Sequence, residues 1–92
     1  MIMSFKCADT EALFHRNNVR RFVNVEAVAR RKLEQLNQAG TLADLRIPPG
    51  NHLKPLKRER FGQYSIRIND RFRVCFCWME NGPEDVEIVD YH

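Results

Sequence analysis

Ninety-two residues, 43% apolar and 29% charged with a net charge of +3, suit one soluble domain over 1–92 and exclude the disordered class. No stretch nears the roughly 20 apolar residues of a membrane span, and Met1-Ile2-Met3-Ser4-Phe5-Lys6 lacks the layout of a signal peptide. Three cysteines without a Cys-x-x-Cys or histidine-rich spacing argue for a reducing compartment and against a disulfide framework or metal site, so a cytoplasmic protein with no cofactor and no membrane partner is expected.

Met1 to Cys7 reads as a short strand on Ile2, Met3 and Phe5. Asp9-Thr10 is placed to cap a short helix carrying Ala12, Leu13 and Phe14, and Arg16 to Arg21 is a polar connection. Asn24 is a candidate N-cap with Glu26 in the first turn. Val25, Val28, Ala29, Leu33 and Leu36 then recur at three- and four-residue spacing, one buried helical face. Gly40 suits the stop, Thr41-Leu42-Ala43-Asp44 opens another helical turn, and Pro48-Pro49-Gly50-Asn51 ends it.

The period changes in the second half. Tyr64, Ile66 and Ile68 alternate with Gln63, Ser65 and Arg67, and Asn69-Asp70 is a turn. Phe72, Val74, Phe76 and Trp78 alternate with Arg71, Arg73, Cys75 and Cys77. Asn81-Gly82-Pro83 is a second turn before a last strand from Val86 to Tyr91. Cys75 and Cys77 would share a strand face with Cα atoms about 6.6–7 Å apart, at the limit for a disulfide. Three strands joined by short turns predict an antiparallel meander, and helices before it predict an α+β fold with the helices covering one face.

The signs of charge are segregated. Lys54, Lys57, Arg58, Arg60, Arg67, Arg71 and Arg73 stand against only Glu59 and Asp70. A second basic set includes Arg30, Arg31 and Lys32, while Glu80 to Asp90 holds acids and no base. Such asymmetry favours a polyanion partner, nucleic acid above all.

Cleaving RNA through its own 2′-hydroxyl requires removing that proton, stabilising charge on the phosphate, and protonating the departing 5′ oxygen. The sequence ends in Asp90-Tyr91-His92. His92 is the leading acid or base, since an unperturbed imidazole titrates near neutrality, and a terminal carboxylate with Asp90 nearby would favour its imidazolium form. Tyr91 would stack a base or position phosphate, and Asp90 would orient its neighbours. Arg73 points away from Phe72, Val74 and Phe76, and its guanidinium holds two phosphate oxygens where lysine cannot. Lys54, Lys57 and His52 are further phosphate ligands. Each residue alone also has a plainer reading: a frayed histidine, a packed tyrosine, a solvated acid, a surface salt bridge.

Lys54-Pro55-Leu56-Lys57, Gly62-Gln63-Tyr64-Ser65-Ile66-Arg67, Arg71-Phe72-Arg73-Val74-Cys75-Phe76 and Val89-Asp90-Tyr91-His92, with Ile2-Met3-Ser4-Phe5-Lys6 before them, closely resemble the HigB branch of the RelE/ParE toxin superfamily. The resemblance covers essentially the whole chain. It implies a RelE-like fold of helices on a small, mainly antiparallel sheet, and an mRNA endonuclease working in the A site of the 70S ribosome beside 16S rRNA. It implies a HigA-like helix-turn-helix antitoxin, through which alone operator DNA would be reached. The family's catalytic roles map onto Lys57, Arg73, Asp90, Tyr91 and His92. Lys54, His52, Arg58, Arg60, Arg67, Arg71, Arg30, Arg31 and Lys32 become candidates for RNA or ribosome contact. HigB-like toxins often carry a histidine immediately before Pro-Leu-Lys; here that position is Lys54, with His52 two residues earlier, so acid and base are not assigned individually. Two alternatives share the basic surface: a ParE-like, non-enzymatic inhibitor of DNA gyrase, and a module that modulates an antitoxin's grip on DNA.

Overall fold

The helical periodicity is realised in a computed structural model that describes residues 1–91. Helix α1 spans Ala8–Phe14 and α2 spans Glu26–Gln38. Ala29, Leu33 and Leu36 of α2 are buried, as their spacing predicts. Neither predicted cap forms. Asn24 lies exposed within a 3-10 turn, Arg20–Val25, that runs straight into α2 and leaves Val25 at the cap position. Burial of Phe22 and Val25 draws the chain into that turn before a side-chain cap can act.

Asp9 and Thr10 sit inside α1 rather than at its cap, which is Cys7. Thr10 has a different use. Met1 to Cys7 does not form a strand, but Phe5 makes a single parallel bridge to Val86. Val86 N–H donates to Ser4 O at 3.1 Å and Lys6 N–H to Val86 O at 3.0 Å. The segment then turns into α1, and the buried Thr10 hydroxyl takes over, accepting from Ile88 N–H at 3.0 Å. Thr10→Val keeps the shape and strands that amide. We expect it to cost about 1–3 kcal/mol, read from urea unfolding midpoints; an unchanged midpoint would show the amide to be satisfied otherwise.

After α2, Thr41 and Asp44 form a reciprocal capping box on the 3-10 turn Leu42–Arg46. Buried Asn51 donates to Leu45 O at 3.0 Å and Gln35 Oε1 at 3.1 Å, tying the following loop to the helical layer.

The sheet has four strands in the order β1-β2-β3-β4: Lys54–Pro55, Gln63–Arg67, Phe72–Met79 and Gly82–Asp90. All neighbours are antiparallel. Strand β1 adds to the predicted meander. The second turn is Glu80-Asn81, not Asn81-Gly82-Pro83, because Met79 pairs with Gly82 and closes a two-residue hairpin. Gly82 takes φ 136 there, and a Cβ would lie 2.4 Å from Met1 O. Strand β4 thus starts four residues before Val86 and ends at Asp90, although Tyr91 N–H still donates to Arg71 O at 2.7 Å.

One face of the sheet carries Ile66, Phe72, Val74, Phe76, Val86 and Ile88 into a core with Leu13, Phe22, Leu33, Leu36 and Leu45. The architecture is the predicted α+β arrangement, helices against one face of a small sheet. Among the described residues, no helix is long and apolar enough to cross a membrane. The cysteines are free thiols. The opposite face of the sheet carries Ser65, Arg73 and Cys75.

Candidate functional site

Register decides which side chains meet on that second face. Arg67 pairs with Arg73, Ser65 with Cys75, Arg73 with Val89, Cys75 with Glu87, and Lys54 with Ser65. Residues two apart share a face, so these side chains project together, with Tyr91 continuing the series beyond Val89.

Arg73 is held from two directions. Its Nε donates to Ser65 Oγ at 2.7 Å and its Nη2 to the carbonyl of His52 at 2.6 Å. Burial draws its pKa below the ordinary guanidinium range, with Arg67 adding repulsion, while Cys75 and Tyr91 act in the opposite sense. Tyr91 Oη lies 3.7 Å from the Sγ of buried Cys75. Burial, and then Cys75, raise the phenol above its ordinary 10.0. At neutral pH Tyr91 is therefore a neutral hydrogen-bonding group.

Asp90 is placed otherwise. It pairs with Phe72, on the parity of the core-facing residues, one step out of phase with Tyr91. Its Oδ2 accepts from Arg71 at 2.9 Å (Nε) and 2.8 Å (Nη2). The Asp90 hydrogen bond, reinforced by its charge, raises the Arg71 pKa. Arg71 also lies over the Phe72 ring, 5.1 Å from its centroid. Asp90 and Tyr91 thus differ in strand parity although both line one groove, and His92 lies outside the described residues.

Lys57 opens the 3-10 turn Arg58–Arg60 between β1 and β2, which Gly62 closes with φ 96, a left-handed value that favours glycine. Exposed Lys57 and Arg58, with Arg60, Asp90 and Tyr91, line an open groove of about 460 Å³. Arg60 reaches across to Gln63 Oε1 and Glu87 Oε1, 3.3 Å each. Lys54, exposed, shares the face of Ser65. Glu59 and Val89 also line this groove, and Arg73, paired with Val89, lies beside it, so a fixed guanidinium neighbours a mobile ammonium and an arginine bridged to Glu87.

Other predicted contact residues are engaged within the protein. Arg67 pairs with Asp70. Arg30 donates to Leu13 O at 3.1 Å, Asn17 O at 2.9 Å and Glu26 Oε1 at 2.7 Å. Lys32 donates to Asn51 Oδ1 at 2.5 Å, whereas Arg31 is exposed. His52 belongs to the site through its carbonyl, with a left-handed backbone at φ 45.

Sequence reasoning missed Ser65 and Cys75 as supports for Arg73 and Tyr91. The expected turn Asn69-Asp70 would have paired Ile66 with Arg73; the observed turn takes in Arg71 as well, pairs Arg67 with Arg73, and so sets Ser65 diagonal to Arg73. It also missed Phe61, 85% exposed beside the basic turn, where an aromatic ring among cations has the composition of single-strand-binding surfaces.

Comparison with known proteins gives a concordant result. A family model for HigB-like toxins, described as the RelE-like toxin of type II toxin–antitoxin system HigB, matches residues 4–92. Toxin HigB-1 of Vibrio cholerae serotype O1 is 35% identical over 82 residues, 87% of this chain and 86% of that protein. An uncharacterized protein of Haemophilus influenzae is 36% identical over 58 residues, 63% of this chain and 57% of its own length.

Proposed function

Since the chain belongs to the HigB-like family of RelE-like toxins of type II toxin–antitoxin systems, a family that implies an antitoxin partner, we propose that it is a ribosome-dependent mRNA endonuclease that inhibits translation. The observation carrying this reading is Arg73, fixed by Ser65 and His52 on the face that also bears Tyr91, beside the groove of Lys57 and Arg58.

The 2′-hydroxyl of an A-site nucleotide attacks its own 3′ phosphate. The O2′–P bond forms, the P–O5′ bond breaks, the 2′ proton is lost to a base and the 5′ oxygen gains one. A 2′,3′-cyclic phosphate remains. Arg73 and Lys57 stabilise the charge on the phosphate, a role worth a few kcal/mol when donors are preorganised. Neutral Tyr91 positions the phosphate or a base. Asp90 acts on orientation by holding Arg71 at the end of β3, and His92 is the candidate for proton transfer. Work at translating ribosomes implies a cytoplasmic protein, held inactive by a HigA-like antitoxin that carries the complex to operator DNA.

Primer extension on a defined mRNA, with and without programmed ribosomes, tests the reading. Cuts at A-site codons only with ribosomes are expected. Cuts in naked RNA would point to a free ribonuclease. No cuts from folded, toxic protein would sink the nuclease reading, and inhibited supercoiling would then identify gyrase as the target.

A further inference from the structure

An arginine that must meet a phosphate loses rotamer freedom on binding unless the protein has already fixed it. Arg73 is fixed. Its guanidinium has five N–H groups. Nε–H goes to the hydroxyl of Ser65, which is fully buried, and one Nη2–H goes to the carbonyl of His52. Those two donors form one edge of the guanidinium plane. Among the described residues, no hydrogen bond engages the end-on edge, made by Nη1 and the remaining Nη2–H.

We propose that Ser65 and the backbone of His52 are a positioning clamp for Arg73, occupying its side edge so that the end-on edge meets the scissile phosphate. The proposal rests on the nuclease reading above and deepens it. Ser65 lies on β2 opposite Cys75, diagonal to Arg73, within a strand paired on both sides. His52 is fixed from the helical layer. Its carbonyl follows a left-handed backbone (φ 45, ψ 53) at the end of the turn Pro49–Asn51. Asn51 anchors that turn to Leu45 and Gln35, and Lys32 holds the same Asn51 from α2. A basic residue expected to touch ribosomal RNA therefore helps to aim the arginine instead. Likewise His52 serves through its peptide group, and the imidazole is dispensable to the clamp. The two bonds to Arg73 come from different layers of the fold, β2 and the loop after α2, so the guanidinium is held in plane and in azimuth before any RNA arrives.

The test combines substitutions with single-turnover cleavage on programmed ribosomes. Ser65→Ala should lower kcat by about tenfold or more with KM within about twofold, and Ser65→Thr, which restores a hydroxyl, should recover most of it. In an Arg73→Lys background, which lacks Nε, Ser65→Ala should have no further effect. Normal kcat in folded Ser65→Ala, or an equal loss in the Arg73→Lys background, would overturn the clamp. Should Ser65→Ala not fold, the wild-type protein still decides. The Arg73 Nε–H resonance should be protected from exchange without RNA, and rapid exchange would overturn the proposal. Arg73→Ala is run in parallel: if it cleaves normally, the nuclease assignment of Arg73 has failed, whereas an inactive Arg73→Ala beside a normal Ser65→Ala isolates failure of the clamp.

Discussion

Arg73→Ala is expected to reduce A-site cleavage by about 10²–10³-fold, the usual loss when a preorganised donor to transition-state charge is removed. The argument begins with geometry. Arg73 sits in the middle of the polar face, opposite Arg67 on one side and Val89 on the other. Its hydrogen bonds to Ser65 and His52 fall on one edge of the guanidinium. Its loss should affect the fold little, because the core is carried by Phe72, Val74 and Phe76 on the other face. The Ser65 hydroxyl loses a partner, which costs about 1 kcal/mol. Arg73→Lys should recover little, since a lysine supplies charge without the planar fork. Rates on programmed ribosomes, read beside circular-dichroism melts, check both halves. Wild-type cleavage by folded Arg73→Ala would remove this residue from the mechanism.

How far the sequence reveals this site depends on the distance over which each residue's role is set. Period-three and period-two patterns are local, so α2 and the three longer strands are legible. The same period puts Arg73 on the polar face. It also gives Asp90 and Tyr91 opposite strand parity, so that they reach their shared groove from different faces. Strand β1 is hidden because Lys54-Pro55 has no alternation to show and acquires its identity only by pairing with Tyr64 and Ser65. The Arg20–Val25 turn is hidden because its residues are mostly exposed and show no helical or strand period, with Phe22 and Val25 turned inward. Whether a cation is available to RNA is less legible still. Arg30 and Lys32 look like a basic helix face in sequence, yet their partners are a carbonyl of α1 and an asparagine of the following loop. No sequence pattern announces a backbone carbonyl such as that of His52, which becomes a ligand to Arg73 only when loop and sheet meet.

The largest expected effect on stability comes from a residue outside every motif. Phe22→Ala should destabilise the protein by about 3–5 kcal/mol, the range for emptying a buried aromatic site, against a typical total of about 5–15 kcal/mol. Phe22 is fully buried, and its ring meets Phe72 edge to face, with centroids 5.9 Å apart and planes at 85°. The guanidinium of Arg21 lies 4.5 Å from the Phe22 centroid, adding a cation–π contact. The ring thereby joins the turn before α2 to the start of β3, between Arg71 and Arg73. A cavity there cannot collapse easily, because the sheet fixes Phe72 by its pairing with Asp90. Phe22→Leu, which retains more of the volume, should cost less than half as much. Combining Phe22→Leu with Phe72→Leu should reveal coupling of about 0.5–1.5 kcal/mol from the aromatic pair. Urea unfolding at 25 °C measures all of these. A loss below about 1 kcal/mol for Phe22→Ala would mean that the turn is not packed as described. If the loss is as large as expected, cleavage by the variant at low temperature should fall only with its folded fraction, since Phe22 supports β3 from the core side and contributes nothing to the face that carries Arg73.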